Sequence, residues 1–289
     1  MTTGPAPAVV DDHSAAVGRT EHRQDWIARD RATALAATLD LDGIPGCGEM
    51  LPPGWHWLYF NPFVRRSEIG ADGHPRRGGF LPDVGLPRRM WAGGRVTYHA
   101  PLPLQVEAEK RSEIKTVTAK SGKGGRLVFV TVRHEIHAAG TLCVEEEQDI
   151  VYREAAVPGA TPPQSAPAPE GAQWIEEVVP DPVLLFRYSA LTANGHRIHY
   201  DRPYAQDEEH YPDLVVHGPL TATLLQGLAT RCRPDAWLHS FSFRGMAPLF
   251  VSTPFRIEAK AGEASNVLDL WARSPDGGLA MRGEARFSL

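Results

Sequence analysis

Asn194 and His199 stand five residues apart in Tyr188-Ser-Ala-Leu-Thr-Ala-Asn-Gly-His-Arg-Ile-His-Tyr-Asp201, a polar run between two apolar segments. Close behind, Val215-Val-His-Gly-Pro-Leu-Thr-Ala-Thr-Leu-Leu225 interrupts an apolar stretch at Gly218-Pro219 and opens a helix-like pattern. Together these residues offer a proton-transfer group, a water-orienting amide and a helix N-terminus. That is the minimum apparatus for adding water to a polarised carbonyl compound, or for removing it. Histidine suits the proton work because its unperturbed pKa, about 6.5, lies near working pH. Asn194 cannot take a proton at neutral pH, but its amide both accepts and donates hydrogen bonds. The first turn of a helix leaves N–H groups unpaired and carries partial positive charge, and glycine lets a ligand oxygen come close to the backbone. Pro219, which lacks an N–H, suits that first turn.

Each feature also has a plainer explanation. Taken alone, Asn194 and His199 fit better as side chains that hold a loop by bonding its backbone, and Gly218 serves equally well as an ordinary helix entry. His196, His199 and His217 could be read as metal ligands, but Gly195 argues against a helix that would align them and no cysteine lies nearby.

The chain that must position these groups has 289 residues, with 42% hydrophobic and 22% charged residues, enough for one large domain or two modest ones. A net charge of -5 argues against a dedicated nucleic-acid binder. No run approaches the roughly 20 apolar residues of a membrane span, and Met1 to Gly18 lacks the pattern of a secretory signal. Cys47, Cys143 and Cys232 form neither a disulfide framework nor a zinc pattern, which points to free thiols in a reducing cytoplasm.

Residues 155–172, rich in proline and alanine, read as a linker between two halves of similar size. The expected division is a disordered tail over 1–20, an N-terminal unit over 21–154, the linker, and a C-terminal unit over 173–289. The first half begins with a helical pattern from about Asp25 to Leu41 and passes through an irregular Gly, Pro and Arg-rich section ending near Gly94. Strand-like pieces follow from Arg95. The second half repeats the order. It has a helix over Pro182–Ala190, a short helix capped by Asp201, a helix after Gly218, then strands from Ser240 onward. A short internal echo links Ala100-Pro-Leu-Pro-Leu-Gln-Val-Glu-Ala108 to Ala247-Pro-Leu249 and Pro254-Phe-Arg-Ile-Glu-Ala259. Helices covered by curved antiparallel sheets, in two units packed as a pseudo-dimer, are the simplest way to bury these faces, an α+β fold.

These residues resemble the MaoC-like, or hydratase-2, family of double-hotdog proteins, and within it the type-2 hydroxyacyl-thioester dehydratases, a branch that includes mesaconyl-CoA hydratases. The family signature Gly-Asp-x-Asn-Pro-Leu-His corresponds here to Ala193-Asn-Gly-His-Arg-Ile-His199, with Asn194 in place of the aspartate, His196 in place of the asparagine and Arg197 in place of the proline. Val216-His-Gly-Pro-Leu220 matches the family's His-Gly helix start, and Gly54–Phe60 and Arg88–Gly94 also look like that branch. The resemblance implies a double hotdog, each half a central helix wrapped by sheet, with a degenerate N-terminal half and one active site in the C-terminal half.

The implied activity is a hydro-lyase interconverting a 3-hydroxyacyl thioester and its 2-enoyl form. His199 would be general base and acid, Asn194 would orient water, and Gly218 would contact the oxyanion. Arg197, Arg202 and His217 are the expected substrate-binding residues. Arg65, Arg66, Arg76, Arg77, Arg88 and Arg89 offer a further cluster for coenzyme A phosphates or a substrate carboxylate, though solvation is the default for any one of them. No metal or redox cofactor is implied, coenzyme A entering only as part of the substrate. The expected partners are an acyl-CoA or acyl-carrier thioester and a second copy of the chain, but not nucleic acid or membrane. A non-catalytic acyl-CoA-binding subunit and an acyl-CoA thioesterase remain the alternatives.

Overall fold

The computed structural model describes residues 13–46, 48–122, 125–155 and 165–288. Ten strands form one antiparallel sheet: β1 (Thr20–Trp26), β2 (Arg88–Tyr98), β3 (Glu107–Gly122), β4 (Gly125–Ala138), β5 (Thr141–Arg153), β6 (Trp174–Val178), β7 (Leu238–Gly245), β8 (Phe255–Ala261), β9 (Val267–Arg273) and β10 (Leu279–Phe287). Their spatial order, β1-β3-β4-β5-β2-β7-β10-β9-β8-β6, reads the same from either end once β6–β10 are matched to β1–β5. The repeat suspected from sequence is therefore a property of the topology. The echo at Ala100–Ala108 and Ala247–Ala259 falls at equivalent places, the β2–β3 and β7–β8 connections and the starts of the strands that follow.

Three α-helices lie against this sheet: α1 (Arg29–Thr38), α2 (Pro182–Leu191) and α3 (Gly218–Cys232). α1 and α2 follow the first strand of their halves and pack on each other. α3 is the core of the C-terminal half and touches β7, β8, β9 and β10. It is apolar nearly all round, with Leu220, Ala222, Leu225, Leu228 and Ala229 buried, as a helix enclosed by sheet must be. The central position is unequal between the halves. Between α1 and β2 the described residues contain only two 3₁₀ turns, Trp55–Leu58 and Arg66–Glu68. The Gly and Pro-rich sequence there cannot sustain a helix.

Several expectations need correction. The helix expected from Asp25 begins at Arg29, because residues 20–26 pair with β3 in register Thr20 to Glu113 through Trp26 to Glu107. β2 starts at Arg88, so Arg88–Gly94 is strand and not irregular loop. Arginine and glycine give little strand signal, but β2 is the seam and pairs with β5 on one side and β7 on the other. A Cβ at Gly93 would lie 2.5 Å from the Phe243 carbonyl oxygen, so the close approach of β7 demands glycine there. Trp57, Trp91 and Phe243 stack edge-to-face across this seam, with Trp57 and Trp91 packed against the core to which Trp55 and Tyr59 belong.

The tail expected over 1–20 gives way to ordered chain at Ser14–Ala16, a 3₁₀ turn whose Ala16 is buried beside Val84 and Ile114; residues 1–12 lie outside the described residues. Of the expected linker, 156–164 lie outside the described residues. Residues 165–172 are packed, because small side chains fit over an indole: Pro167 bridges to Gly278 and Ala168 is buried with Trp271 and Leu279. Cys143 and Cys232 are free thiols, and Cys47 lies outside the described residues. Among the described residues no helix is long and apolar enough to cross a membrane.

Candidate active site

The candidate loop begins where α2 ends. Asp181 caps α2 by accepting from the Leu184 N–H, with Pro182 in the first turn. At the other end Ala193 takes a positive φ and the Asn194 N–H reaches back to the Ser189 carbonyl at 2.9 Å, a closure that fixes where Asn194 stands. The Asn194 Oδ1 then accepts from the His196 N–H at 3.0 Å. The loop-holding role is therefore present, and the Nδ2 donors are what this side chain can offer a ligand.

His199 closes the 3₁₀ turn Arg197–His199 and is 6% exposed. Its Nδ1–H donates to the Val215 carbonyl at 2.7 Å. A carbonyl only accepts, so Nδ1 carries the proton and the Nε2 lone pair is the basic position. The bond ties the imidazole to the strand of backbone that enters α3, three residues before Gly218. The Val215 N–H in turn donates to the Ile198 carbonyl at 3.0 Å, locking the two segments reciprocally. Burial lowers the His199 pKa to about 4 against the support of the Val215 bond, so the ring is neutral at physiological pH.

His217 lies beneath it. The two rings stack with centroids 3.6 Å apart, and His217 is fully buried with Nε2 2.8 Å from the Ser189 hydroxyl. The substrate-binding role expected of His217 is thus replaced by support of the ring that faces the ligand. Gly218 opens α3, and a Cβ built there meets nothing within 4 Å. The space on its side-chain face is therefore open.

The two arginines differ. Arg197 gives Nε and Nη2 to Asp201 at 2.9 and 2.7 Å and Nη1 to the Ala71 carbonyl at 3.0 Å, and it lies over the Tyr204 ring. Arg202 donates to Asp213 at 2.7 Å and is half exposed. Arg197 has all its bonded nitrogens on its own chain and braces the loop, whereas Arg202 has only Nε engaged. Asp201 also caps the following helical turn, accepting from the Tyr204 N–H at 3.2 Å, as expected.

Two further residues reach the site from the N-terminal half, and sequence reading missed them. The loop carrying Asp72 and His74 abuts the candidate loop at Gly73 and Gly195, where a Cβ on Gly73 would sit 1.8 Å from the Gly195 carbonyl oxygen; Gly73 also needs its positive φ of 89°. His74 lies 4.3 Å from the His196 ring, which in turn meets His199 edge-on at 5.5 Å. Asp72 accepts from the His74 N–H at 3.0 Å and contacts its Nδ1 at 3.1 Å. Burial pushes the Asp72 carboxyl up, but the His74 bonds and charge outweigh it and hold the group well below the usual carboxylate range. Burial lowers His196 to about 2, with the His74 and His199 charges adding to the effect. Only the short Asp-x-His spacing signalled this pair.

Ligand atoms of Asp72, His74 and His196 lie within 4.8 Å of one another. The arrangement suits a hydrogen-bonded Asp–His pair better than a cation, because the positive charge of Arg89 bears on both imidazoles. The alternative set of His196, His199 and His217 does not converge, since the last two are stacked face to face.

Comparison with known proteins bears on the family and the fold. The family model for hydroxyacyl-thioester dehydratase type 2 matches residues 54–251. The mesaconyl-C(4)-CoA hydratase of Chloroflexus aurantiacus is 50% identical over 273 residues, covering 93% of this chain and 96% of that protein. A MaoC-like dehydratase structure from Phytophthora capsici superimposes with a TM-score of 0.69 at 13% identity, covering 94% of this chain and 96% of that one. A double-hotdog protein of Mycobacterium tuberculosis does so at 0.54 and 16%, covering 94% and 96%. The fold is the α+β double hotdog.

Proposed function

This chain belongs to the hydroxyacyl-thioester dehydratase type 2 family and is a hydro-lyase of acyl thioesters, and we propose that it runs the reaction at one site per chain, in the C-terminal half, with His199 as the group that moves the proton. The observation that carries this is the His199 Nδ1–H bond to Val215, which leaves Nε2 as a buried, neutral base tethered to the segment that enters α3 at Gly218.

In the hydration direction, His199 Nε2 removes a proton from water as the water oxygen bonds to the β-carbon. The double-bond electrons shift through the α-carbon to the thioester oxygen, where negative charge accumulates. The Gly218 N–H at the helix N-terminus meets that charge. His199 then returns the proton to the α-carbon, and the thioester carbonyl re-forms. One water has been added and the imidazole is restored; dehydration is the reverse. Asn194 Nδ2 donates to the water or hydroxyl oxygen and orients it. A carboxamide cannot share the proton, so His199 carries the whole transfer.

Coenzyme A is the proposed carrier and a mesaconyl-type group the proposed acyl chain, both taken from the Chloroflexus relative. A cytoplasmic setting fits the free thiols. The test is hydration of a panel of enoyl-CoA thioesters followed by the loss of enoyl absorbance, with free thiol measured in parallel. Loss of enoyl absorbance without thiol release supports the reading. Thiol release instead would make the protein a thioester hydrolase. Binding by calorimetry without turnover would make it an acyl-CoA-binding subunit, the alternative that the missing aspartate at position 194 keeps open.

A further inference from the structure

A small cleft adjoins the candidate loop, and its walls include Asp72, Arg88, Arg89, His196, Glu209 and Tyr211. Its charges are not equivalent. Arg88 is committed: it pairs with Glu209 at 2.6 Å, donates to the Tyr211 hydroxyl at 2.6 Å and lies over the Tyr211 ring. That bond also neutralises Glu209. Asp72 is held by the backbone and ring of His74. The nearby Arg77 donates to the carbonyls of Leu86 and Pro87 and lies over Tyr152.

Arg89 differs. Among the described residues it forms no ion pair, although it is half-buried in the cleft wall. Its backbone is fixed by the β2–β5 pairing directly opposite Tyr152, and its guanidinium is the hydrogen-bonding neighbour of the buried Tyr152 hydroxyl. Its charge is felt at His74 and His196. A partly desolvated guanidinium whose hydrogen-bonding neighbour is a neutral phenol still lacks a counter-charge, and a carboxylate fits the guanidinium fork with two parallel hydrogen bonds. The cleft is lined by His196, whose ring meets that of His199 edge-on at 5.5 Å.

Building on the hydro-lyase reading, we propose that Arg89 is the specificity-determining residue of this site, its guanidinium receiving a carboxylate on the acyl group, so that the chain selects enoyl thioesters bearing a carboxylate close to the double bond over plain alkenoyl thioesters.

The test compares wild type with Arg89→Gln and Arg89→Lys on two substrates that share the coenzyme A moiety, the mesaconyl thioester and crotonyl-CoA. The ratio of their kcat/KM values should collapse by about 10- to 100-fold in Arg89→Gln, the range for loss of hydrogen bonds to a charged group, with partial recovery in Arg89→Lys. Equal losses on both substrates would overturn the proposal and point to a contact with coenzyme A phosphate. A second arm needs no turnover: calorimetry with the unreactive thioesters succinyl-CoA and butyryl-CoA. Wild type should prefer succinyl-CoA, and Arg89→Gln should lose the preference. No preference in wild type would overturn the proposal even if hydration were observed. Absence of turnover with the binding preference intact would instead count against the hydro-lyase reading alone.

Discussion

The imidazoles of His199 and His217 lie face to face, their centroids 3.6 Å apart and their planes 19° from parallel. His217 is held from α2 by the Ser189 hydroxyl and His199 from the α3 entry by the Val215 carbonyl. The plane of the reactive ring is thus set by two elements of the C-terminal half. Burial, not the stack, is what keeps His199 neutral.

That burial has a consequence for stability. Burial lowers His199 to about 4 and His196 to about 2, and holds His217 well below its ordinary value. In the unfolded chain each titrates near about 6.5. Folded pKa values below the unfolded value mean that this stability is fully present above about pH 6.5, and that it drains as pH falls toward 4, where the unfolded chain binds more protons. The urea midpoint should therefore fall steadily from pH 6.5 to about 5, before most carboxylates titrate. A flat midpoint over that window would contradict the buried neutral cluster.

Asn194→Asp preserves the acceptor for the His196 N–H, so the loop should keep its form and the melting temperature should change little. The new carboxylate favours the protonated form of a nearby imidazole. The acid limb of the kcat/KM pH profile should therefore move to higher pH. An unmoved limb would mean that residue 194 does not face the proton that His199 carries.

Gly218→Ala separates helix entry from oxyanion contact. The added methyl meets nothing in the protein, so thermal stability should be close to wild type. It projects into the space proposed for the thioester oxygen, and an oxyanion donor is worth about 10²- to 10³-fold in kcat. A loss of at least about 10-fold is expected, with the fold intact by circular dichroism. Full activity would reduce Gly218 to a plain helix start.

Much of this arrangement is legible in the residues. Apolar spacing and flanking signals mark α2 and α3, and β-branched runs mark the cores of β4, β5 and β9, because there local pattern and tertiary packing agree. Arg88–Gly94 was hidden because its strand character comes from neighbours on both sides and from the glycine that β7 requires. The ion pairs of Arg197 with Asp201 and of Arg202 with Asp213 are not legible in the sequence, because nearness along the chain does not say which carboxylate a guanidinium meets. Asp72 and His74 lie more than a hundred residues from His199 in the chain. Only the contact between the halves brings them to the site.

The central claim is that His199 Nε2 carries the proton. It is tested most directly by single-turnover hydration of a mesaconyl or crotonyl thioester by His199→Ala, with circular dichroism to verify the fold. Removal of a general acid–base group should lower the rate by about 10²- to 10⁴-fold, with substrate still bound by calorimetry. A folded His199→Ala variant that hydrates at the wild-type rate would contradict the account.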